Sequence, residues 1–237
     1  MNQNQQVIQV MEKQGGFATL RMLYQTVDTS GWKARNPHAT IRRIVQNKKY
    51  FFKIKPGLWA LNACRGKLSL LLGQNQSAQQ KAQFDHYYYQ GLLLEIGNVR
   101  EFQTFIPHAD KNKPFLQKTL GELRNLEKMH QFGYREVVER AQMIDVVWFN
   151  RRKMPYAAFE VEHTTDFTNA LSKYIALQDF NTKFYVVSSP GKEEQFKSRI
   201  SRDEYHPIQK RVQFLDYEKL GAWHGQSVEA ARMGEMP

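Results

Sequence analysis

The 237-residue sequence predicts a two-domain protein that combines the α+β and α/β classes. A small N-terminal domain has three helices and a β-hairpin, and a larger domain has a mixed β-sheet flanked by helices. Two observations predict this fold. Helical apolar spacing gives way to two dense strands before residue 62, and helical and strand-like segments alternate from residue 84 onward. We therefore place the first domain at residues 1–65, a polar linker at 66–83 and the second domain at 84–237.

The N-terminal domain begins with an apolar stripe over residues 7–11, and a second helical segment runs from about residue 20 to 29. The third helix has clear boundary signals, because Asn36 is a good N-cap and Pro37 suits the first helical position. Two strand-like runs then flank a Lys-Pro-Gly turn. Three helices closed by such a hairpin predict a winged helix-turn-helix domain, in which the third helix enters the major groove of DNA.

The distribution of charge supports double-stranded DNA as the partner. Residues 1–67 contain 12 basic and 2 acidic residues, a net charge of +10, out of +11 for the whole chain. Such asymmetry is typical of polyanion binding. A winged helix that docks on proteins is the alternative. The predicted DNA-binding residues lie on and around the third helix and in the wing: Lys33, Arg35, Asn36, His38, Arg42, Arg43, Gln46 and Lys53.

The segment from Trp32 to Leu61 carries a resemblance to a known family. Its N-P-H-A-T-I-R-R-I and P-G-L-W-A-L elements resemble the HARE-type helix-turn-helix module. That module is found attached to restriction endonucleases and to chromatin proteins. The resemblance covers about a quarter of the chain and implies a DNA-binding role for this domain.

The most informative part of the second domain is a predicted β-hairpin over residues 143–163, with a polar turn at 150–155. If the hairpin is symmetric about its turn, Asp145 lies directly opposite Glu160, and Glu162 lies two residues further on the same face. Acids opposite each other in a half-buried sheet are unfavourable unless a cation lies between them. Oxygen ligands in this arrangement suit Mg²⁺ or Mn²⁺, and we predict Asp145 and Glu160 as the metal ligands.

The same residues resemble the signature of the PD-(D/E)XK nucleases, which have the restriction-endonuclease-like fold. Asp145 and Glu160-Val161-Glu162 match the pattern D-x(n)-(D/E)-x-K, except that Glu162 replaces the lysine and Ile144 replaces the proline. The resemblance implies a metal-dependent endonuclease that hydrolyses DNA, with Asp145, Glu160 and Glu162 as catalytic residues. The replaced lysine puts the activation of water in doubt.

Three further residues are accessory candidates beside this motif. Lys173, on the helix that follows the hairpin, could supply the missing cation if its side chain reaches the site. Glu95 could contribute another acid from the preceding helix, and His163 could contact phosphate. The alternatives are a solvated lysine, an ordinary helical glutamate and a histidine held by hydrogen bonds.

Several other classes of protein are disfavoured by the sequence. There is no H-E-x-x-H zinc motif, no G-x-S-x-G elbow and no glycine-rich phosphate loop. Cys64 is the single cysteine, so no intrachain disulfide is possible. Apolar runs are too short for a membrane span and no secretory signal is evident, so we expect a cytoplasmic protein that does not bind membranes. We also expect residues 227–237 to form a frayed tail.

Three functions fit these observations. The first is a sequence-specific type II restriction or defence endonuclease, for which a palindromic target would favour a homodimer. The second is a DNA-binding regulator whose nuclease domain has lost activity. The third is a structure-directed nuclease of repair or recombination.

Overall fold

The computed structural model describes residues 1–68, 77–164 and 166–233. The chain divides into two compact units, of which the first comprises residues 1–81 with 221–237 and the second residues 82–220. Residues 69–76 of the predicted linker lie outside the described residues, and the end of the linker is helical from Ala78 onward.

The first unit combines helices with a three-stranded antiparallel sheet of order β1-β3-β2. Its elements are α1 (Gln3–Lys13), β1 (Phe17–Thr19), α2 (Leu20–Thr26), α3 (Pro37–Val45), β2 (Phe51–Lys55) and β3 (Leu58–Leu61). The third helix begins where its sequence predicts, since the Asn36 side chain accepts a hydrogen bond from the Ala39 N–H and Pro37 is the first helical residue. Gly57 has a φ of 84°, which allows the tight turn between β2 and β3.

The last helix of the chain, α9 (Tyr217–Met233), contributes its residues from 221 onward to this first unit. A Cβ on Gly221 would lie 2.8 Å from the carbonyl carbon of Pro56, so only glycine permits this approach. Val228 is buried at 3% exposure. The prediction of a frayed tail is therefore wrong for residues 227–233, because burial of apolar side chains stabilises the helix there. Residues 234–237 lie outside the described residues.

The second unit has a five-stranded mixed sheet flanked by helices, as the sequence predicts. Before the hairpin it contains α4 (Ala78–Val99) from residue 82 onward, β4 (Gln103–Phe105), β5 (Pro114–Phe115), β6 (Lys118–Thr119), α5 (Leu120–Leu123) and α6 (Arg135–Ala141). The hairpin and the elements after it are β7 (Val146–Phe149), β8 (Pro155–Val161), α7 (Thr168–Ile175), β9 (Lys183–Ser188), α8 (Glu193–Ile200) and β10 (Val212–Asp216). The strand order is β10-β9-β8-β7-β4. Strand β7 is antiparallel to both of its neighbours, β4 and β8, whereas β8, β9 and β10 run parallel to one another.

Both faces of this sheet are covered by helices. On one face, Val147 and Ala158 join a core cluster that includes Leu171 and Tyr174 of α7. On the other face, α4 lies close to the sheet, since a Cβ on Gly97 would lie 2.7 Å from the indole nitrogen of Trp148. The double coverage explains why all four residues of β7 are buried. In the described part of the chain, no helix has the length and apolar character of a membrane span.

Candidate functional site

The predicted acids converge at one end of the β7–β8 hairpin. The register pairs Val146 with Phe159 and Val147 with Ala158, and its extension by one residue brings Asp145 opposite Glu160, as the symmetric hairpin predicts. The Asp145 N–H lies 3.3 Å from Glu160 Oε1. The side chain of Asp145 turns back on β8 and accepts a hydrogen bond of 2.8 Å from the Val161 N–H. Two main-chain donors thus hold these carboxylates at the end of the sheet.

Glu160 is paired with Lys173 of α7. The lysine Nζ lies 2.9 Å from Glu160 Oε1 and 2.8 Å from Oε2, and both side chains are buried. Burial first, and then the negative charge of Asp145, raise the pKa of Glu160 well above its usual value, while Lys173 opposes this rise. Lys173 thus brings a cationic side chain from α7 into contact with one of the predicted acids. Alternation along β8 explains the encounter, because Glu160 shares the face of Ala158 that α7 covers.

Glu162 lies just beyond the end of β8 and is half-buried. Its N–H donates to the Val187 carbonyl of β9, which fixes the backbone. Burial, followed by the charge of Asp145, raises the pKa of its carboxyl to about 7, against the opposing charges of Lys173 and His86. A carboxyl that titrates near neutral pH can accept a proton under physiological conditions, which is what a general base requires.

The structure adds two residues that sequence reasoning missed, His86 and Asp110. His86 Nε2 lies 3.5 Å from Asp145 Oδ2, and the ligand atoms of His86, Asp110 and Asp145 all lie within 4.8 Å of one another. Although burial opposes it, a hydrogen bond and the charge of Asp145, with the charge of Asp110, raise the pKa of His86. The sequence held one signal for this helix. His86 and Gln90 are four residues apart, so these two polar side chains share one face of α4, and in the structure Gln90 is fully buried. Asp110, in a lysine-rich loop, had none.

The side chain of Gln90 contacts two members of this cluster, Asp110 and Asp145. Its side-chain nitrogen donates to Asp110 Oδ2 at 3.0 Å and lies 3.4 Å from the Asp145 carbonyl oxygen. Its Oε1 is buried and has no hydrogen-bond partner among the described residues. A buried carbonyl oxygen without a donor is costly unless a water or an ion completes it. Next to Gln90, helix α4 packs directly against the ring of Phe115. Gly91 permits this contact, because a Cβ at that position would lie 2.0 Å from the ring.

The donor set fits a divalent metal ion. Two ligand atoms that are each about 2.1 Å from one ion, at 90–110° to each other, lie about 3.0–3.4 Å apart. The separation of 3.5 Å between His86 Nε2 and Asp145 Oδ2 is close to this range. Carboxylate oxygens suit Mg²⁺ and Mn²⁺, and the softer imidazole nitrogen shifts the preference toward Mn²⁺.

The two remaining accessory candidates differ in position. His163 is next to the cluster, with its ring centroid 5.9 Å from that of His86 and its Nδ1 2.9 Å from the Tyr217 hydroxyl. Glu95 is buried in α4 but lies nine residues after His86, about 13 Å further along the helix axis. The structure brings His163 to the acids and does not bring Glu95 there.

The predicted DNA-binding residues all lie in the first unit and form two groups. The exposed group consists of Lys33, Arg35, Arg43, Gln46 and Lys53. The half-buried group makes internal contacts. Asn36 caps α3, His38 lies against the ring of Tyr24 at 4.4 Å, and Arg42 forms an ion pair of 2.9 Å with Glu229.

Comparison with known proteins assigns most of the chain to a class of restriction-enzyme domains. Residues 71–231 match the family described as the C-terminal domain of the type II restriction enzyme NmeDI, and the chain belongs to this family. A curated relative is the type II restriction enzyme NmeDI of Neisseria meningitidis serogroup C, which is 24% identical over 148 residues. The alignment covers 57% of this chain and 41% of the relative, so the chain spans about two fifths of that protein's length. No solved structure matches the chain.

Proposed function

We propose that this protein is a metal-dependent DNA endonuclease of the PD-(D/E)XK type that acts as a type II restriction or defence enzyme. The observation that best supports this proposal is the contact between Lys173 and Glu160 beside Asp145. A cation and two acids thereby lie together at the end of one β-hairpin. Membership in the NmeDI C-terminal domain family supports this chemistry. The predicted Asp145, Glu160 and Glu162 remain our proposed catalytic residues, now with Lys173.

The proposed metal centre is built around Asp145. Asp145, Asp110 and His86 would hold Mg²⁺ or Mn²⁺, with Glu160 sharing its carboxylate between the ion and Lys173. When bound, such an ion polarises a phosphate oxygen and lowers the pKa of a coordinated water. Gln90 orients Asp110 by its hydrogen bond and thereby keeps the ligand atoms close together.

The protein's own groups would then carry out the proton transfer. The attacking water gives its proton to the Glu162 carboxylate, whose pKa of about 7 suits neutral pH. The water oxygen bonds to phosphorus as the bond to the leaving sugar oxygen breaks, and solvent water protonates that oxygen. Lys173 favours the charged form of the buried Glu160, against burial and the charge of Asp145, which raise its pKa. We propose that it also offers positive charge near the phosphate.

The first unit is our candidate for binding double-stranded DNA as a winged helix. Three helices and a β2–β3 hairpin, with net charge +10 over residues 1–67, support this role. We propose that α3 enters the major groove and that Lys53 in the hairpin contacts phosphate. A palindromic target would favour a homodimer, in which two active sites face the two strands. Light scattering of the protein with DNA would detect such a dimer.

The test is cleavage of a mixed-sequence plasmid by the full chain in Mg²⁺ or Mn²⁺, followed by sequencing of the ends. We expect discrete fragments with a shared end sequence, and no cleavage by Asp145→Asn. Asp203→Asn, which removes an exposed aspartate, should cleave normally.

The other outcomes identify the alternatives. Binding without cleavage under all metal conditions would favour the inactive regulator, although the position of Lys173 weakens the argument for lost activity. A smear, or cleavage only at branched DNA, would favour a structure-directed nuclease. Full activity in excess chelator would contradict the metal mechanism.

A further inference from the structure

Glu229 of α9 contacts two of the residues that we expect to bind DNA. Its Oε2 lies 2.9 Å from Arg42 Nη1, and its Oε1 accepts a hydrogen bond of 3.1 Å from the Asn36 side-chain nitrogen. The Arg42 side chain is 43% exposed, whereas that of Glu229 is only 14% exposed. One carboxylate of the C-terminal helix therefore joins the N-cap of α3 to a basic residue further along the same helix.

The position of Glu229 is determined by packing within the first unit. A Cβ on Gly225 would lie 3.1 Å from Leu20 Cδ1, so α9 lies close to α2. Val228, the residue before Glu229, is 3% exposed. The Asn36 amide is also fixed, because its oxygen accepts the capping hydrogen bond from Ala39 while its nitrogen donates to Glu229. The carboxylate is thus held where it is and is not a mobile surface group.

The electrostatic consequence concerns the strength of DNA binding. An arginine binds a DNA phosphate through charge-assisted hydrogen bonds. The Arg42 guanidinium already makes such a bond with the Glu229 carboxylate. While this pair is intact, Arg42 adds little net positive charge to α3. Arg43, which is exposed, carries the cationic character of the helix instead.

We propose that Glu229 masks Arg42 and so limits the affinity of α3 for DNA phosphate, which makes the C-terminal helix part of the DNA-binding surface. This inference rests on the proposed binding of DNA by the first unit. A lower affinity of α3 for phosphate weakens binding to every DNA sequence by the same factor. Contacts to the bases then account for a larger share of the binding free energy.

A thermodynamic cycle on the full chain tests the proposal, with a labelled 30-base-pair random duplex as the probe and EDTA present to prevent cleavage. We expect Glu229→Gln to tighten binding about threefold, and the salt slope to become steeper by about 0.9, the value for one additional phosphate contact. Arg42→Gln should change wild-type binding by less than about twofold but weaken the Glu229→Gln variant about threefold. The double variant, which restores the wild-type net charge, should bind like the wild type.

Glu12→Gln is the matched control, because it removes the same charge from an exposed position of α1. We expect it to leave the salt slope unchanged. Each variant is checked by circular dichroism, and Glu229→Asp, which withdraws the carboxylate without removing its charge, replaces Glu229→Gln if that variant does not fold.

Two results would overturn the inference, and they are distinguishable. If Arg42→Gln weakens binding equally in both backgrounds, Glu229 does not mask Arg42, while DNA binding by α3 stands. If neither the wild type nor Glu229→Gln binds the duplex at low salt, the proposed DNA binding fails and the inference fails with it.

Discussion

Lys173 and Glu160 form a buried ion pair whose energetics can be separated from its role in cleavage. Breaking such a pair by removing one partner is expensive, because the other charge stays buried without compensation. Glu160 can reduce this cost by taking up a proton, since burial and Asp145 already raise its pKa. The two residues should therefore be strongly coupled in stability and jointly required for activity.

We predict that Lys173→Met lowers the free energy of unfolding by about 2–4 kcal/mol. Adding Glu160→Gln to this variant should recover at least about half of the loss, since no unpaired charge then remains. Both variants should lose DNA cleavage. Urea unfolding and plasmid cleavage measure the two properties.

Lys197 provides the control for this cycle, because it pairs with Glu194 on the exposed surface of α8. Lys197→Met should change stability by less than about 1 kcal/mol and leave cleavage intact. Additive effects of Lys173→Met and Glu160→Gln would show that the two side chains are not coupled.

The β2–β3 hairpin shows how an irregularity within an element changes the roles of its residues. Lys53 and Lys55 both lie near the tip of this hairpin, and residues two apart share a face of a regular strand. The register shifts between these two positions, and Lys53 is exposed whereas Lys55 is half-buried. Burial lowers the pKa of Lys55 to about 8. Lys53 is therefore the better candidate for a phosphate contact.

This pKa predicts a stability that depends on pH. Below pH 8 the folded protein holds Lys55 charged in a half-buried position, which is unfavourable. Between about pH 8 and 10.5 the folded state releases this proton while the unfolded state keeps it, so stability rises with pH. We predict that Lys55→Met is more stable than the wild type at pH 7 and that the difference shrinks by pH 10.

Thermal unfolding of the wild type and Lys55→Met across this pH range measures the effect. Lys53→Met is the control and should show no such convergence, but it should weaken binding to duplex DNA. A constant difference between Lys55→Met and the wild type would mean that Lys55 does not titrate in this range.

At the scale of the whole molecule, the two units are not consecutive in sequence. The first unit includes residues 221–237, which follow the entire second unit. Completion of the first unit therefore depends on the C-terminal helix. A fragment that ends at residue 65 lacks this helix, and experiments on DNA binding need the full chain.

We predict that Val228→Ala lowers the free energy of unfolding by about 1–3 kcal/mol, because it removes buried methyl groups and leaves a cavity. Gln226→Ala, at an exposed position of the same helix, should have little effect. Chemical unfolding of the two variants gives the comparison. Equal stability of both would support the frayed tail that the sequence suggested.

Local patterns in the sequence determined much of this protein. The cap and first residue of α3, the register of β7 with β8 and the bounds of β9 are all set by residues close together in the chain. Local patterns are misleading at residues 134–138, where a tyrosine and two valines favour a strand. Val138 and Ala141 are buried one helical turn apart, so packing selects the helix α6.

Only the tertiary structure decided which distant side chains meet. The sequence contains Lys173 as a candidate, but its contact with Glu160 depends on α7 covering that face of β8. The spacing of His86 and Gln90 marks one face of α4, but no local pattern indicates that this face, or Asp110, lies beside Asp145. Nor does any local pattern indicate that Glu229 lies beside Arg42. The physical reason is that hydrophobic periodicity and capping specify the faces and ends of each element. Which face packs on which is decided by burial over the whole chain.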